Sequence, residues 1–356
     1  VSEVNLFGAN RLCNLVGVRF PIVQTGMGWV AGARLVAASA NAGALGILAS
    51  ATMSLVALEQ AIVEVKERTS EPFGVNLRPD APDASERVRL LVASGVKVAS
   101  FTQAPSRSMV HELKDAGIVV MPTIGAPRHA RKVAELGADG VIAQGAEGGG
   151  HTGQIPTSLL VPAVVREVGT EMVVVAAGGM HDGRSLLAAL AWGADGIAMG
   201  TRFLLTKEST VPDAIKQAYL RAGLTDTIVT RAIDGAPQRV VRTPLVERLE
   251  SAGRVSAFVR SAKSALAFWR ETNSSLLGLV KEGLAMRSRG ELTWAQVLMA
   301  ANAPMMTKAA LVEGRLDAGV LPVGQVVGVI DDLPSVEDLV RSIVSEATRV
   351  LGAGDR

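Results

Sequence analysis

Residues 144–153 read QGAEGGGHTG and contain the side chain best suited to proton transfer near neutral pH. His151 follows three consecutive glycines, Gly148, Gly149 and Gly150. Glycine has no Cβ, so such a loop lets main chain approach a ligand closely. An imidazole at its end is placed to act as general acid or base on whatever the main chain cradles. The same stretch alone also fits a surface turn with a solvent-facing histidine. Two pairs further on, Gly178-Gly179 and Gly200-Thr201, could turn N–H groups and a hydroxyl toward a phosphate. Gly26, Met27 and Gly28 form another such turn, and Asn76 and Gln144 are polar residues that close apolar runs.

These residues fall at the ends of regularly spaced strands. Short apolar runs at residues 21–24, 45–48, 73–76, 96–101, 118–121, 140–143, 173–176 and 196–199 alternate with amphipathic or helix-patterned segments. That rhythm is one of βα units with right-handed crossovers. Eight units in about 200–250 residues is the size of a closed (β/α)8 TIM barrel, an α/β fold whose active site lies at the C-terminal strand ends. A doubly wound open sheet is the competing fold, but it needs G-x-G-x-x-G after the first strand, and here the turn reads TGMGW. In a barrel the pairs at 178–179 and 200–201 follow strands seven and eight, where phosphate is often held. A flat ring flanked by Asn76 and Gln144 and tied by a phosphate fits flavin mononucleotide, FMN. After residue 203 the rhythm stops. The expected organisation is a barrel over 1–204, an added helical region over 205–317 on the substrate side, and a segment over 318–356 that returns to the barrel.

Composition narrows the function classes. A net charge of +2 argues against a nucleic-acid binder. The single cysteine, Cys13, supplies neither an internal disulfide nor a zinc cluster, and the four histidines have no paired ligand spacing, so no metal is expected. No run of 18 apolar residues predicts a membrane span, and residues 1–20 lack a signal-peptide pattern; the expected location is the cytoplasm. Association of identical copies is left open. Residues 231–290 hold eleven Lys or Arg against five Asp or Glu, a surplus that suits an anionic partner or a solvated helical face.

The chain resembles the nitronate monooxygenase (2-nitropropane dioxygenase) family of FMN-dependent barrels, which includes a flavin-dependent enoyl-acyl-carrier-protein reductase. The resemblance rests on residues 21–27 (PIVQTGM), 74–76 (GVN), 144–151 (QGAEGGGH), 177–179 (AGG), 200–203 (GTRF) and 324–325 (GQ). It implies Met27, Asn76 and Gln144 at the flavin ring and Gly178, Gly179, Gly200 and Thr201 at the phosphate. Gly26, Gly28, Gly149 and Gly150 fall among the cofactor-binding positions, and His151 is the catalytic candidate. Many members have Ala-Pro before the first methionine and an alanine in the E-A-G-G-H motif; here those places hold Thr25-Gly26 and Gly148. With Gly28-Trp29-Val30-Ala31-Gly32 and Glu291-Leu292-Thr293-Trp294, these departures look most like a branch of flavin dehydrogenases of bacterial steroid breakdown. That branch acts on a CoA thioester of the indane (C/D-ring) remnant.

The resemblance thus implies an oxidoreductase passing hydride between an indane acyl-CoA and FMN. Trp29 is expected at the substrate, and Arg239 and Arg242 at the CoA phosphates. The alternatives are oxidation of alkyl nitronates with O2, NAD(P)H-dependent reduction of an enoyl thioester, and a flavin-binding module without catalysis.

Overall fold

The computed structural model describes residues 9–251 and 294–353. Most of the arginine-rich stretch, 252–290, and residues 291–293 of the branch-like sequence lie outside them. Eight parallel strands close into a barrel: β1 (Ile22–Gln24), β2 (Leu45–Ala49), β3 (Phe73–Leu77), β4 (Val98–Phe101), β5 (Val119–Ile124), β6 (Gly140–Gln144), β8 (Val173–Ala177) and β9 (Gly196–Met199), with β9 pairing back onto β1. The remaining strand of this stretch, β7 (Gly150–His151), lies outside the barrel. A first helix, α1 (Arg11–Val16), precedes β1. The outer ring is α2 (Ala33–Asn41), α3 (Leu55–Arg68), α4 (Ala84–Ser94), α5 (Arg107–Asp115), α6 (Pro127–Glu135), α7 (Thr157–Val168) and α8 (Gly183–Ala191), and a short α9 (Thr201–Leu204) follows β9. The eight strands expected from sequence are these eight.

Two apolar layers explain why the strand runs read as nearly continuous. Outward residues such as Leu48, Val75, Phe101, Val120, Val141 and Ile197 pack in the layer between strands and helices. Inward residues, among them Val23, Ile47, Val98, Met121, Ile142 and Val175, fill the barrel together with Leu12, Cys13 and Val16 of α1. Helix α1 therefore stoppers the foot of the barrel. Fully burying each of its Leu and Val side chains contributes roughly 1.5–3 kcal/mol. Since successive strand residues face opposite ways, the inward series continues upward past Val98 to Ser100, past Gly74 to Asn76 and past Ile142 to Gln144. Register sets Asn76 beside Ala49 and Ser100, and Gln144 beside Ala177. The top layer of the barrel interior is polar where the lower layers are not.

Past β9 come α10 (Asp213–Leu220), β10 (Thr227–Thr230), β11 (Gln238–Val241), α11 (Pro244–Ser251), α12 (Trp294–Leu311), a 3-10 turn at Gln325–Val329 and α13 (Val336–Ala353). The segment 205–317, expected to be helical, carries α10, α11 and α12 among its described residues and also β10 and β11, which form an antiparallel hairpin that the sequence reading did not include. β11 also pairs with β7, joining Gln238 to His151 and Arg239 to Gly150. The β-branched run Thr-Ile-Val-Thr is a strand signal by propensity, but four residues are too short to show a period. Helix α13 packs on α8 and α2. No helix among the described residues is long and apolar enough to cross a membrane.

Candidate active site

The C-terminal rim of the barrel gathers most of the sequence-selected residues. Asn76, only 8 % exposed, points its amide Nδ2 to Ser100 Oγ at 3.3 Å. Its carbonyl accepts from Ser50 Oγ at 2.6 Å. Gly26 is required beside it, since a Cβ at residue 26 would sit 2.5 Å from Asn76 Cβ. The carbonyl of Met27 accepts the amides of Val30 and Ala31, at 3.0 and 2.9 Å, and so closes the turn that carries Gly28 and Trp29. Trp29 is the one non-glycine residue with positive φ among the described residues, at 66°. Its ring lies 5.9 Å from Lys308 Nζ on α12.

The Gly178-Gly179 pair has φ of 96° and 76°, a left-handed turn that β-carbons disfavour. Gly179 faces open space: a Cβ there meets nothing nearer than Glu147 Cβ at 3.8 Å. Gly200 faces Met27, whose Sδ would be 3.4 Å from an added Cβ. Among the described residues, none accepts a main-chain hydrogen bond from the amides of Gly178, Gly179 or Gly200. These amides are left without a main-chain acceptor among the described residues, the kind of donor an anion takes. Thr201 is partly committed: its Oγ1 accepts the Gly324 amide at 2.9 Å and keeps only its own proton to donate.

The glycine-rich loop is held from several sides. Glu147 Oε2 caps α7 by accepting Thr157 N at 2.9 Å and Thr157 Oγ1 at 2.6 Å. The Glu147 carbonyl accepts the Gln325 amide at 2.9 Å. Gly149 leaves no room for a side chain, since its Cβ would lie 2.5 Å from Gly324 N. Gln144 Nε2 donates to the His151 carbonyl at 2.8 Å, so this amide holds the loop in addition to lining the rim. Arg239, expected at the CoA phosphates, has internal partners. Its guanidinium donates to Thr227 Oγ1 at 2.8 Å and to the Ala146 carbonyl at 3.1 Å, fastening the hairpin to the loop. Arg242, just past β11, is exposed.

His151 has partners that sequence reading did not supply. Its Nε2 lies 2.7 Å from Asp234 Oδ2. Gln238 Nε2 donates to the same oxygen at 2.5 Å, and the Ala236 amide donates to Asp234 Oδ1 at 3.0 Å. The imidazole side chain is 65 % exposed, whereas that of Asp234 is 11 % exposed. Burial pushes the Asp234 carboxyl up, but the hydrogen bond and charge of His151, with the Ala236 and Gln238 donors, hold it below the usual value. Asp234 and Gln238 are 83 and 87 positions from His151, and Asp234-Gly235 reads as an ordinary turn, so only the hairpin pairing reveals them. Ser100 was missed too; its register with Asn76 was the available signal. His181 bonds within its own turn, Nδ1 to the Gly179 carbonyl at 3.3 Å. No cluster of three or more His, Cys, Asp or Glu able to hold a metal occurs among the described residues.

A cleft of about 530 Å³ at the opposite end is lined by Pro72, Phe73, Val96, Lys97 and Gly117, at the N-terminal strand ends. Barrel chemistry does not occur on that face.

Comparison with known proteins bears on the fold and the family. A sequence model of the nitronate monooxygenase family matches residues 9–346. A Mycobacterium tuberculosis protein named (3aS,4S,5R,7aS)-5-hydroxy-7a-methyl-1-oxo-octahydro-1H-indene-4-carboxyl-CoA dehydrogenase is 58 % identical over 337 residues, 94 % of this chain and 95 % of that one. A Rhodococcus jostii protein of the same name is 56 % identical over 342 residues, 96 % of each chain. The structure of FabK from Thermotoga maritima superposes with a TM-score of 0.77 at 33 % identity, covering 97 % of both chains.

Proposed function

This chain belongs to the nitronate monooxygenase family of flavin-dependent oxidoreductases, and we propose that it is an FMN-dependent dehydrogenase of a hydroxylated indane-carboxyl-CoA thioester. The observation that supports the catalytic reading is the hydrogen bond of His151 to the largely shielded carboxylate of Asp234, at the end of a loop that Gln144 of the rim holds. Both indane-carboxyl-CoA dehydrogenases named above support the substrate class.

The residues present fit FMN. Gly178, Gly179 and Gly200 would hold the phosphate, with Thr201 giving its hydroxyl proton. Met27, Asn76 and Gln144 would border the ring. When bound, the flavin supplies an acceptor for hydride. The chain supplies the rest. A thioester acidifies the adjacent α-carbon, and His151 takes the proton released there. Loss of that proton with the β-hydride leaves an α,β-unsaturated thioester. Trp29 would wall the substrate side of the rim with α12, in keeping with a substrate-side role for residues 205–317. Of the two arginines expected at the CoA phosphates, Arg242 is available and Arg239 is engaged.

The test is reduction of the purified yellow protein under anaerobic conditions. Each of an indane-carboxyl-CoA, propyl-2-nitronate and NADH is mixed in turn, and flavin bleaching is followed. Rapid bleaching by the acyl-CoA alone supports the dehydrogenase. Bleaching by the nitronate alone, or by NADH alone, replaces it with the monooxygenase or the reductase. No bleaching by any of them leaves a flavin-binding module.

A further inference from the structure

We propose that Asp234 is a positioning residue that fixes the tautomer of His151, holding the proton on Nε2 and leaving Nδ1 as the nitrogen that accepts the substrate proton. The proposal rests on the catalytic reading of His151 given above. Two groups approach His151 Nε2: Asp234 Oδ2 at 2.7 Å and Gln238 Nε2 at 3.2 Å. They demand opposite things. A bond from the Gln238 amide needs a lone pair on Nε2, whereas the carboxylate needs a proton there. The carboxylate contact is the shorter and is charge-assisted, a class of hydrogen bond about twice as strong as a neutral one. A lone pair facing the carboxylate at that distance would be repelled. Nε2 therefore carries the proton, and Gln238 approaches it only because both donate to Asp234 Oδ2. The other carboxyl oxygen is fixed by the Ala236 amide at 3.0 Å, so the acceptor edge cannot rotate away. Glu147, the acidic residue inside the glycine-rich loop, is engaged by Thr157 and does not compete. No hydrogen bond among the described residues reaches Nδ1. The tautomer is thereby set from the β10–β11 hairpin, through the pairing of Gln238 with His151.

Asp234→Asn reverses the pattern with little change of shape. The asparagine oxygen stays on the Ala236 amide, the Gln238 amide turns over to present its oxygen to the asparagine NH2, and that NH2 also faces Nε2, so His151 must accept there and move its proton to Nδ1. The experiment is long-range proton–nitrogen NMR of the 15N-labelled holoenzyme, with His151 signals identified by their loss in His151→Ala; the chain has only four histidines. The wild type is expected as the Nε2–H tautomer and Asp234→Asn as Nδ1–H. Turnover of Asp234→Asn should fall by about 10²–10⁴, the range for a general acid–base catalyst, with KM nearly unchanged. A wild-type protein in the Nδ1–H form overturns the proposal without recourse to any variant. So does an Asp234→Asn protein that retains flavin and keeps the wild-type tautomer. The spectrum does not depend on which compound reduces the flavin. If the acyl-CoA fails as a substrate, the functional reading falls and the tautomer result still stands.

Discussion

Gly149→Ala and Gly150→Ala differ by one position and should separate two ways of disturbing the glycine-rich loop. A methyl at residue 149 would lie 2.5 Å from Gly324 N and from Val323 C, both main-chain atoms. Neither can swing aside as a side-chain tip does. Ordinary carbon contacts begin near 3.5 Å, so one segment must move by about 1 Å. The Glu147 carbonyl holds the Gln325 amide in the same place, so the displacement is carried into the motif two residues before His151. A misplacement of about 1 Å is worth roughly 10²-fold in rate, and overpacking costs about 1–3 kcal/mol in stability. At residue 150 an added methyl meets nothing within 4 Å, but φ is 63°. The penalty there is conformational, about 1–2 kcal/mol, with no push on the imidazole. Both variants should therefore melt at lower temperature. Only Gly149→Ala should lose about 10²-fold in the rate of flavin reduction measured by rapid mixing, whereas Gly150→Ala should stay within a few-fold of wild type. Equal rates in the two variants would refute the account of loop 147–149 braced against residues 323–325.

Three other outcomes are expected. Gly179→Asp should purify with less bound flavin, read from visible absorbance per protein, because it adds a carboxylate at the phosphate cradle; Gly179→Asn tolerates the same positive φ without the charge and should retain more. His151→Ala should keep its yellow colour and lose about 10²–10⁴ in turnover, and unchanged turnover would remove His151 from the mechanism. Asp234 has a depressed carboxyl in the folded state, so its contribution is complete above the unfolded value near 4 and is lost as pH falls through the lower folded one. Amide-exchange protection at Thr152, which donates to the Pro237 carbonyl at 3.1 Å, should hold down to about pH 4 and decline as pH falls further. Asp234→Asn should show no such decline.

The barrel was legible because its signal repeats: eight apolar runs, each a strand buried on both faces, are hard to mistake for another fold. The rim positions of Asn76, Gln144, Gly178, Gly179 and Gly200 were legible because a barrel places strand ends on one rim. His151 stood out by its three glycines. Its partners did not, since Asp234 and Gln238 reach it through a hairpin whose strands have four residues each. The internal bonds of Arg239 were hidden for a related reason. Charge counts along a chain cannot tell a cation awaiting a ligand from one already holding the Ala146 carbonyl. Thr201 shows the same limit in smaller form, as its hydroxyl oxygen receives an amide from residue 324, far along the chain.

The segment after α12 gives the molecule a dependency that an eight-stranded barrel need not have. Gly324 reaches Thr201 beside the phosphate cradle, Gln325 reaches the Glu147 carbonyl in the motif loop, and Asp332 grips Arg202 at 2.6 Å. One short stretch of late chain thus clasps both halves of the rim, the half that would seat the cofactor and the half that bears the histidine. A nascent chain halted after β9 would have every barrel strand and an unlatched mouth, and the latch forms only once residues 324–332 have been made.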